Sequence, residues 1–138
     1  MTRVFASALV LALLTAMAAA PASAAGLHFV RATAAGPDGA GNLVVGFKLA
    51  GGGGAATVDV TATADATYDC GGTLVGPSTV ANGTAFASRG GQVAGSLTLV
   101  ATPPCAPDQF RAVSYANVRL GATGADGTTV PGTFARTF

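Results

Sequence analysis

The side chains that could perform acid–base or nucleophilic chemistry are few and scattered along the sequence. Beyond residue 24 there is one histidine, His28, one lysine, Lys48, and no glutamate. A histidine base needs an orienting carboxylate and a nucleophile within reach. The hydroxyl nucleophiles available are Ser78, Ser88, Ser96 and Ser114, none of them in a Gly-x-Ser-x-Gly elbow. The sequence therefore predicts a protein that is not an enzyme, with His28 as an ordinary strand residue.

The aspartates are equally unsuited to glycoside hydrolysis or metal binding. Asp65 and Asp69 would lie on one face of one strand about 13 Å apart, which is too far for a facing catalytic pair. Calcium needs six to eight converging oxygens, commonly from one Asp-rich loop. Only isolated turn aspartates such as Asp38 and Asp126 occur. We therefore expect a solvated sheet face and turns, with no metal and no cofactor.

The element that carries three of the six aspartates is the clearest in the sequence. From Thr57 to Cys70 every odd position is polar and every even position is apolar. A period of two predicts a strand with one wet face and one buried face. Its length exceeds the usual strand, which predicts a bend near the alanines of residues 62–66.

The N-terminal segment predicts export. Arg3 precedes an apolar run from Val4 to Ala20, and Ala22-Ser23-Ala24 gives the small-x-small pattern of a signal-peptidase site. We predict a signal peptide over residues 1–24, cleaved after Ala24, and a secreted domain over residues 25–138. A membrane anchor is the alternative, but the run is at the lower limit for spanning a bilayer. No later segment is long and apolar enough to span.

Two cysteines follow the leader, Cys70 and Cys105. An even pair in an exported chain is most simply a disulfide. The alternative, a two-thiol metal or redox site, has neither a Cys-x-x-Cys spacing nor a second histidine or further cysteine to complete it.

The remaining pattern predicts an all-β fold. About seven strands are separated by Gly, Pro and Asn turns, at the spacing of an antiparallel sandwich, and an Ig-like topology is the leading arrangement. The expected strands are 27–34, 43–49, 57–70, 84–88, 93–101, 113–121 and 129–138. We expect 84–88 and 93–101 to form a hairpin, and 71–82 to be irregular because it contains Pro77 and Asn82-Gly83.

Charge and loop motifs argue against other ligand classes. The sequence has seven basic and six acidic residues, and one of the basic residues, Arg3, belongs to the leader. The domain therefore has no cationic field that would attract nucleic acid. Gly51–Gly54 follows a strand without the lysine or helix of a phosphate-binding loop, which favours a flexible hairpin loop. The sequon Asn82-Gly83-Thr84 is expected to be a turn.

Several short motifs resemble those of small secreted actinobacterial proteins that have no established activity. The stretch Gly91-Gln92-Val93-Ala94-Gly95-Ser96-Leu97-Thr98-Leu99 is similar to their Gly-Gln-x-x-Gly-Ser-Leu-Thr-Leu segment. Pro104–Gln109 is similar to a cysteine-containing segment of theirs, and Tyr68-x-Cys70 fits the partner cysteine. The resemblance implies export, a sandwich and the disulfide. Size and Thr/Ala/Gly richness also resemble the apoproteins of enediyne antibiotics, which carry two disulfides.

These observations together predict a secreted, non-catalytic binding or structural module with an unknown extracellular or cell-surface partner. One alternative is a small-molecule carrier of the apochromoprotein kind, which requires an apolar cleft between the sheets. Another is a protease inhibitor, for which the stiff segment Thr102–Pro107 is the candidate loop.

Overall fold

The computed structural model describes residues 26–138, which form two antiparallel β-sheets packed face to face. The predicted signal peptide and its cleavage site after Ala24 lie outside the described residues. The eight strands are β1 (His28–Ala35), β2 (Leu43–Ala50), β3 (Thr57–Cys70), β4 (Thr73–Ala87), β5 (Gln92–Leu99), β6 (Phe110–Ala122), β7 (Ala125–Val130) and β8 (Phe134–Thr137). Within residues 26–138, no helix has the length and hydropathy to cross a membrane.

The strand order confirms the predicted Ig-like sandwich. One sheet has the order β1-β2-β5, and the other has β4-β3-β6-β7 with β8 also paired to β6. A constant-type immunoglobulin domain places its first, second, fifth and fourth strands in one sheet and the rest in the other. The present fold differs in two respects: the fourth strand, β4, lies beside β3, and an eighth strand, β8, pairs with β6.

The core confirms the alternation predicted for β3. Its even-numbered residues from Val58 to Tyr68 are buried. Across the interface, the large side chains of β2 are fully buried, namely Leu43, Val45, Phe47 and Leu49. Small alanines on one sheet thus face bulky residues on the other, which fills the space between them. The register of β3 shifts beside Ala64 and again between Ala66 and Tyr68, and such bulges accommodate its length.

The largest error of the sequence prediction concerns β4. The segment 71–82 is not irregular: after the Gly71-Gly72 turn, the chain forms a continuous strand from Thr73 to Ala87. Pro77 is tolerated because β4 is an edge strand and needs no donor on its outer side. The sequon at Asn82 is therefore in a strand and not in a turn.

The predicted hairpin of 84–88 with 93–101 is also wrong. β4 pairs with β3 and β5 pairs with β2, so the two segments belong to different sheets, and Arg89 and Gln92 in the connection between them form an isolated bridge. Phe86 explains how they meet: its ring packs edge-on against Phe47 at 4.9 Å and covers Gly95, where a Cβ would lie 2.5 Å from the ring. The chain thus closes this side of the sandwich with an aromatic ring.

The C-terminal segment contains one strand more than predicted. The strands predicted over 113–121 and 129–138 leave residues 122–128 as a connection, but the turn is confined to Thr123-Gly124 and β7 begins at Ala125. Pro131 separates β7 from β8, because proline cannot continue the ladder. Both short strands pair with the long strand β6.

Candidate functional site

The connecting loops gather at the two ends of the sandwich, and the two ends differ in kind. We call the end with Gly51–Ala56, the Arg89–Gln92 bridge and Thr123-Gly124 the glycine-rich end. We call the opposite end, with the β1–β2 loop, the β5–β6 connector and the disulfide, the tied end. Loops at a sandwich end are the usual place for recognition in this architecture.

A groove of about 490 Å³ opens at the glycine-rich end. Its volume lies within the range of small-molecule sites. It is bordered by the start of β1, the β2–β3 loop, the start of β3 and the β6–β7 turn. The lining residues are Leu27, Gly51, Gly52, Gly53, Gly54, Ala55, Thr57, Val58, Asp59, Thr123 and Gly124.

The first two of the four glycines pack closely against the residues that precede β1. Gly51 has a φ of +88°, and a Cβ there would lie 2.5 Å from the carbonyl oxygen of Gly26. A Cβ on Gly52 would lie 2.9 Å from Leu27, and the Gly52 N–H donates to the carbonyl of Gly91 at 3.0 Å. The first half of the glycine run is therefore fixed against its neighbours.

The second half of the run is open. A Cβ on Gly53 or Gly54 would meet nothing within 4 Å, and neither residue has a positive φ. Within residues 26–138, their N–H groups donate to no protein acceptor. These amides therefore remain available to water or to a ligand in the groove.

The charge in the groove comes from Asp59. Its side chain is exposed, and its backbone carbonyl accepts the Thr123 N–H at 3.0 Å, which holds the β6–β7 turn over the start of β3. Leu27, which is partly buried, adds apolar surface, whereas Val58 is only 4% exposed and adds little. The groove thus combines unbonded amide donors, one carboxylate and an apolar wall. The lining residues include no histidine, serine, cysteine or lysine.

The tied end contains the predicted disulfide. Cys70, the last residue of β3, is bonded to Cys105, and their Cα atoms lie 5.8 Å apart. The Tyr68 hydroxyl accepts the backbone N–H of Thr102 at 2.9 Å. The candidate inhibitory segment Thr102–Pro107 is thus attached to β3 at two points.

Further hydrogen bonds hold the β1–β2 loop at the same end. The buried Tyr115 hydroxyl donates to the carbonyl of Gly41 at 2.6 Å, and burial raises its pKa above the ordinary value. The Asn42 side chain accepts the N–H of Ala101 at 2.9 Å. Asp38 accepts the N–H groups of Asn42 and Ala40, both at 2.9 Å, and these bonds lower the pKa of its carboxyl.

The residues considered for catalysis are not brought together. The His28 ring nitrogen Nδ1 lies 3.1 Å from the carbonyl oxygen of Gly26, and none of the four serine hydroxyls is hydrogen-bonded to it. Asp65 accepts a hydrogen bond from the Asn117 side chain at 2.9 Å. Among residues 26–138, no three His, Cys, Asp or Glu side chains gather in a possible metal site.

The sequence did not predict the groove, nor a β-bulge at Asn117 on the outer face of the five-stranded sheet. Asn117 has a φ of +53° at the point where β6 carries an extra residue opposite Ala64. The bulge directs its side chain to Asp65, and asparagine tolerates this backbone region better than most residues. The sequence around Asn117 contains no pattern from which the bulge could have been predicted.

No protein-family model matches the sequence, none of the curated proteins is significantly similar to it, and no solved structure significantly matches the fold.

Proposed function

We propose that this chain is an exported, non-catalytic binding module that takes up an extracellular ligand in the groove at the glycine-rich end. The observation that carries the proposal is the groove itself, with its unbonded backbone donors at Gly53 and Gly54. Export is supported by the leader over residues 1–24 and by a disulfide suited to an oxidising compartment.

The lining favours a neutral or cationic small molecule. Asp59 is the charged residue in the lining and would attract a cation and repel an anion. The amides of Gly53 and Gly54 suit a carbonyl or hydroxyl acceptor, and Leu27 suits an apolar portion. A ligand with these three features would use each part of the groove.

A second groove, of about 390 Å³, competes for this role on the outer face of the five-stranded sheet. It lies between Leu74, which is 73% exposed, and Arg136. It lies across the ladder of β3, β6 and β8, where the backbone groups are already paired. The glycine-rich end is preferred because it presents backbone donors that no strand has used.

The carrier alternative requires an apolar cleft between the sheets. In residues 26–138 that space is filled by the buried side chains of β2, β3, β5 and β6. The groove at the glycine-rich end is open to solvent and borders this core at Val58. A ligand would therefore be held at the end of the sandwich and not within it.

The test is an amide-resonance titration of the ¹⁵N-labelled mature chain with fragment libraries of cationic, neutral and anionic small molecules. The expected shifts are confined to Gly53, Gly54, Asp59 and Gly124, with cations favoured over anions. Gly54→Phe should abolish binding by filling the groove. Gly39→Phe is the matched control, because Gly39 also has open space around its Cα but lies at the tied end.

Two results would overturn the proposal. One is fragment binding that maps to other residues or survives Gly54→Phe. The other is turnover by the purified chain on peptide, glycan or ester substrates, which would show that the protein is a catalyst.

A further inference from the structure

The outer edge of β4 is the longest unpaired strand edge among residues 26–138. β4 has 15 residues and ends the five-stranded sheet, with β3 as its single ladder partner. Free strand edges are templates for pairing with another chain, and natural proteins usually blunt them with charge, proline or short length. The properties of this edge therefore decide what it can bind.

One side-chain bond shows which backbone groups face outward. The Gly83 N–H donates to the Asn82 side-chain oxygen at 2.8 Å, so it points away from β3. Because direction alternates along a strand, the N–H and C=O groups of Thr79, Ala81 and Ala85 point the same way. The edge thus presents a regular row of donors and acceptors on both sides of Gly83.

The composition of β4 offers little to keep another strand away. Residues 73–87 contain no charged side chain, and Pro77 lies near one end. Ala81, Gly83 and Ala85 are exposed and small, so an incoming strand would meet no bulky side chain beside these backbone groups. The part of β4 from residue 78 to residue 87 is therefore open to pairing.

We propose that β4 pairs antiparallel with β4 of a second copy of this chain. In an antiparallel two-fold contact both strands carry the same side chains, so a charged residue near the axis would lie close to its own copy. β4 is free of that penalty. The two five-stranded sheets would join into one continuous sheet, through an interface small enough to make the dimer weak and reversible.

Asn82 regulates this edge by acting as an internal substitute for the partner strand. Its side-chain nitrogen donates to the carbonyl of Thr98 on β5 at 3.0 Å, while its oxygen accepts the Gly83 N–H. The side chain thus occupies one outward donor of β4 and one acceptor of β5. A partner strand must compete with it at the centre of the edge.

Sedimentation equilibrium of the mature chain from micromolar to millimolar concentration tests the proposal. The expected result is a reversible dimer that Ala81→Lys and Ala85→Lys each convert to a monomer. Ala94→Lys, on the free edge of β5, is the matched control and should leave the dimer unchanged. Asn82→Ala should tighten the dimer by about fivefold to tenfold, since one hydrogen bond gained is worth roughly that factor.

The alternatives give distinct results, each of which overturns the proposal. The natural chain and Asn82→Ala could both stay monomeric into the millimolar range. A dimer that persists in both lysine variants would use another surface. Dissociation by Ala94→Lys, or growth into open-ended species, would assign the contact to β5. Urea unfolding establishes which variants are folded, and the two lysine positions test the edge independently.

Discussion

The two ends of the sandwich use opposite means to shape their loops. The tied end fixes its loops with a disulfide and with two tyrosine hydroxyls. Tyr68 is hydrogen-bonded to the backbone of Thr102, 34 residues away, and Tyr115 to the backbone of Gly41, 74 residues away. The glycine-rich end packs Gly51 and Gly52 closely against their neighbours and leaves open space beside the Cα atoms of Gly53 and Gly54. Covalent and side-chain anchors thus stabilise one end, while the other keeps backbone groups open to solvent.

This contrast indicates that one end of the domain contributes mainly to stability, while the other keeps groups free for binding. Stability and recognition make conflicting demands, because a binding surface needs groups whose hydrogen bonds are unsatisfied in the free protein. Placing the anchors at one end allows the other to keep backbone amides without hydrogen-bond partners. Four predictions test this separation of stability from binding, from the largest expected effect to the smallest.

Removal of the disulfide should have the largest effect. The Cys70→Ala/Cys105→Ala variant lacks the covalent link between two positions that are 35 residues apart. The chain-entropy relation then gives a loss of roughly 4 kcal/mol in the free energy of unfolding. Urea unfolding measures it. A loss below about 1 kcal/mol would contradict the view that the tied end is the main anchor.

Tyr115→Phe should remove the buried bond to the Gly41 carbonyl. The expected loss is roughly 1–3 kcal/mol, because the carbonyl is left buried without its donor. Burial raises the folded-state pKa of this hydroxyl, so the unfolded chain releases its proton first as pH rises. Stability should therefore fall above about pH 10 in the natural chain. Tyr115→Phe should flatten that fall, and unfolding at pH values on either side of 10 measures both effects.

Alanine substitutions in the glycine run separate its two halves. Gly51→Ala should destabilise by roughly 1–2 kcal/mol, because its φ is positive and its Cβ would press on the Gly26 carbonyl. Gly53→Ala has open space and should change stability by less than about 1 kcal/mol, in the stabilising direction. Equal losses at both positions in urea unfolding would show that the run has no open half.

Much of the scaffold could be predicted because its sequence patterns involve residues close together in the chain. The alternation from Thr57 to Cys70 specifies one buried face, and the cysteine pair specifies a link, so both were predicted. β4 was missed because Pro77 and Asn82-Gly83 are turn signals by themselves. They fit a strand only at a sheet edge, where a missing donor or a capped amide is harmless. Edge position is a property of the whole fold.

The candidate site was inaccessible for a related reason. Its lining comes from Leu27, the loop 51–55, the start of β3 and the turn at Thr123-Gly124, which the topology alone brings together. Glycine has no side chain to indicate chemistry, so Gly51–Gly54 reads as a flexible loop. Which of the four glycines is packed and which is open depends on the position of Gly26 and Leu27.

The smallest predicted effect lies in the acid stability of the tied end. Backbone N–H bonds from Asn42 and Ala40 lower the folded-state pKa of Asp38, so its contribution is present above about pH 4 and is lost as pH falls through the folded value. Asp38→Asn keeps an oxygen for both bonds but cannot titrate, so its urea midpoint should fall less steeply below pH 4. Asp126→Asn removes the same charge at the glycine-rich end. If both variants flatten the acid limb equally, the effect belongs to net charge and not to the loop that Asp38 holds.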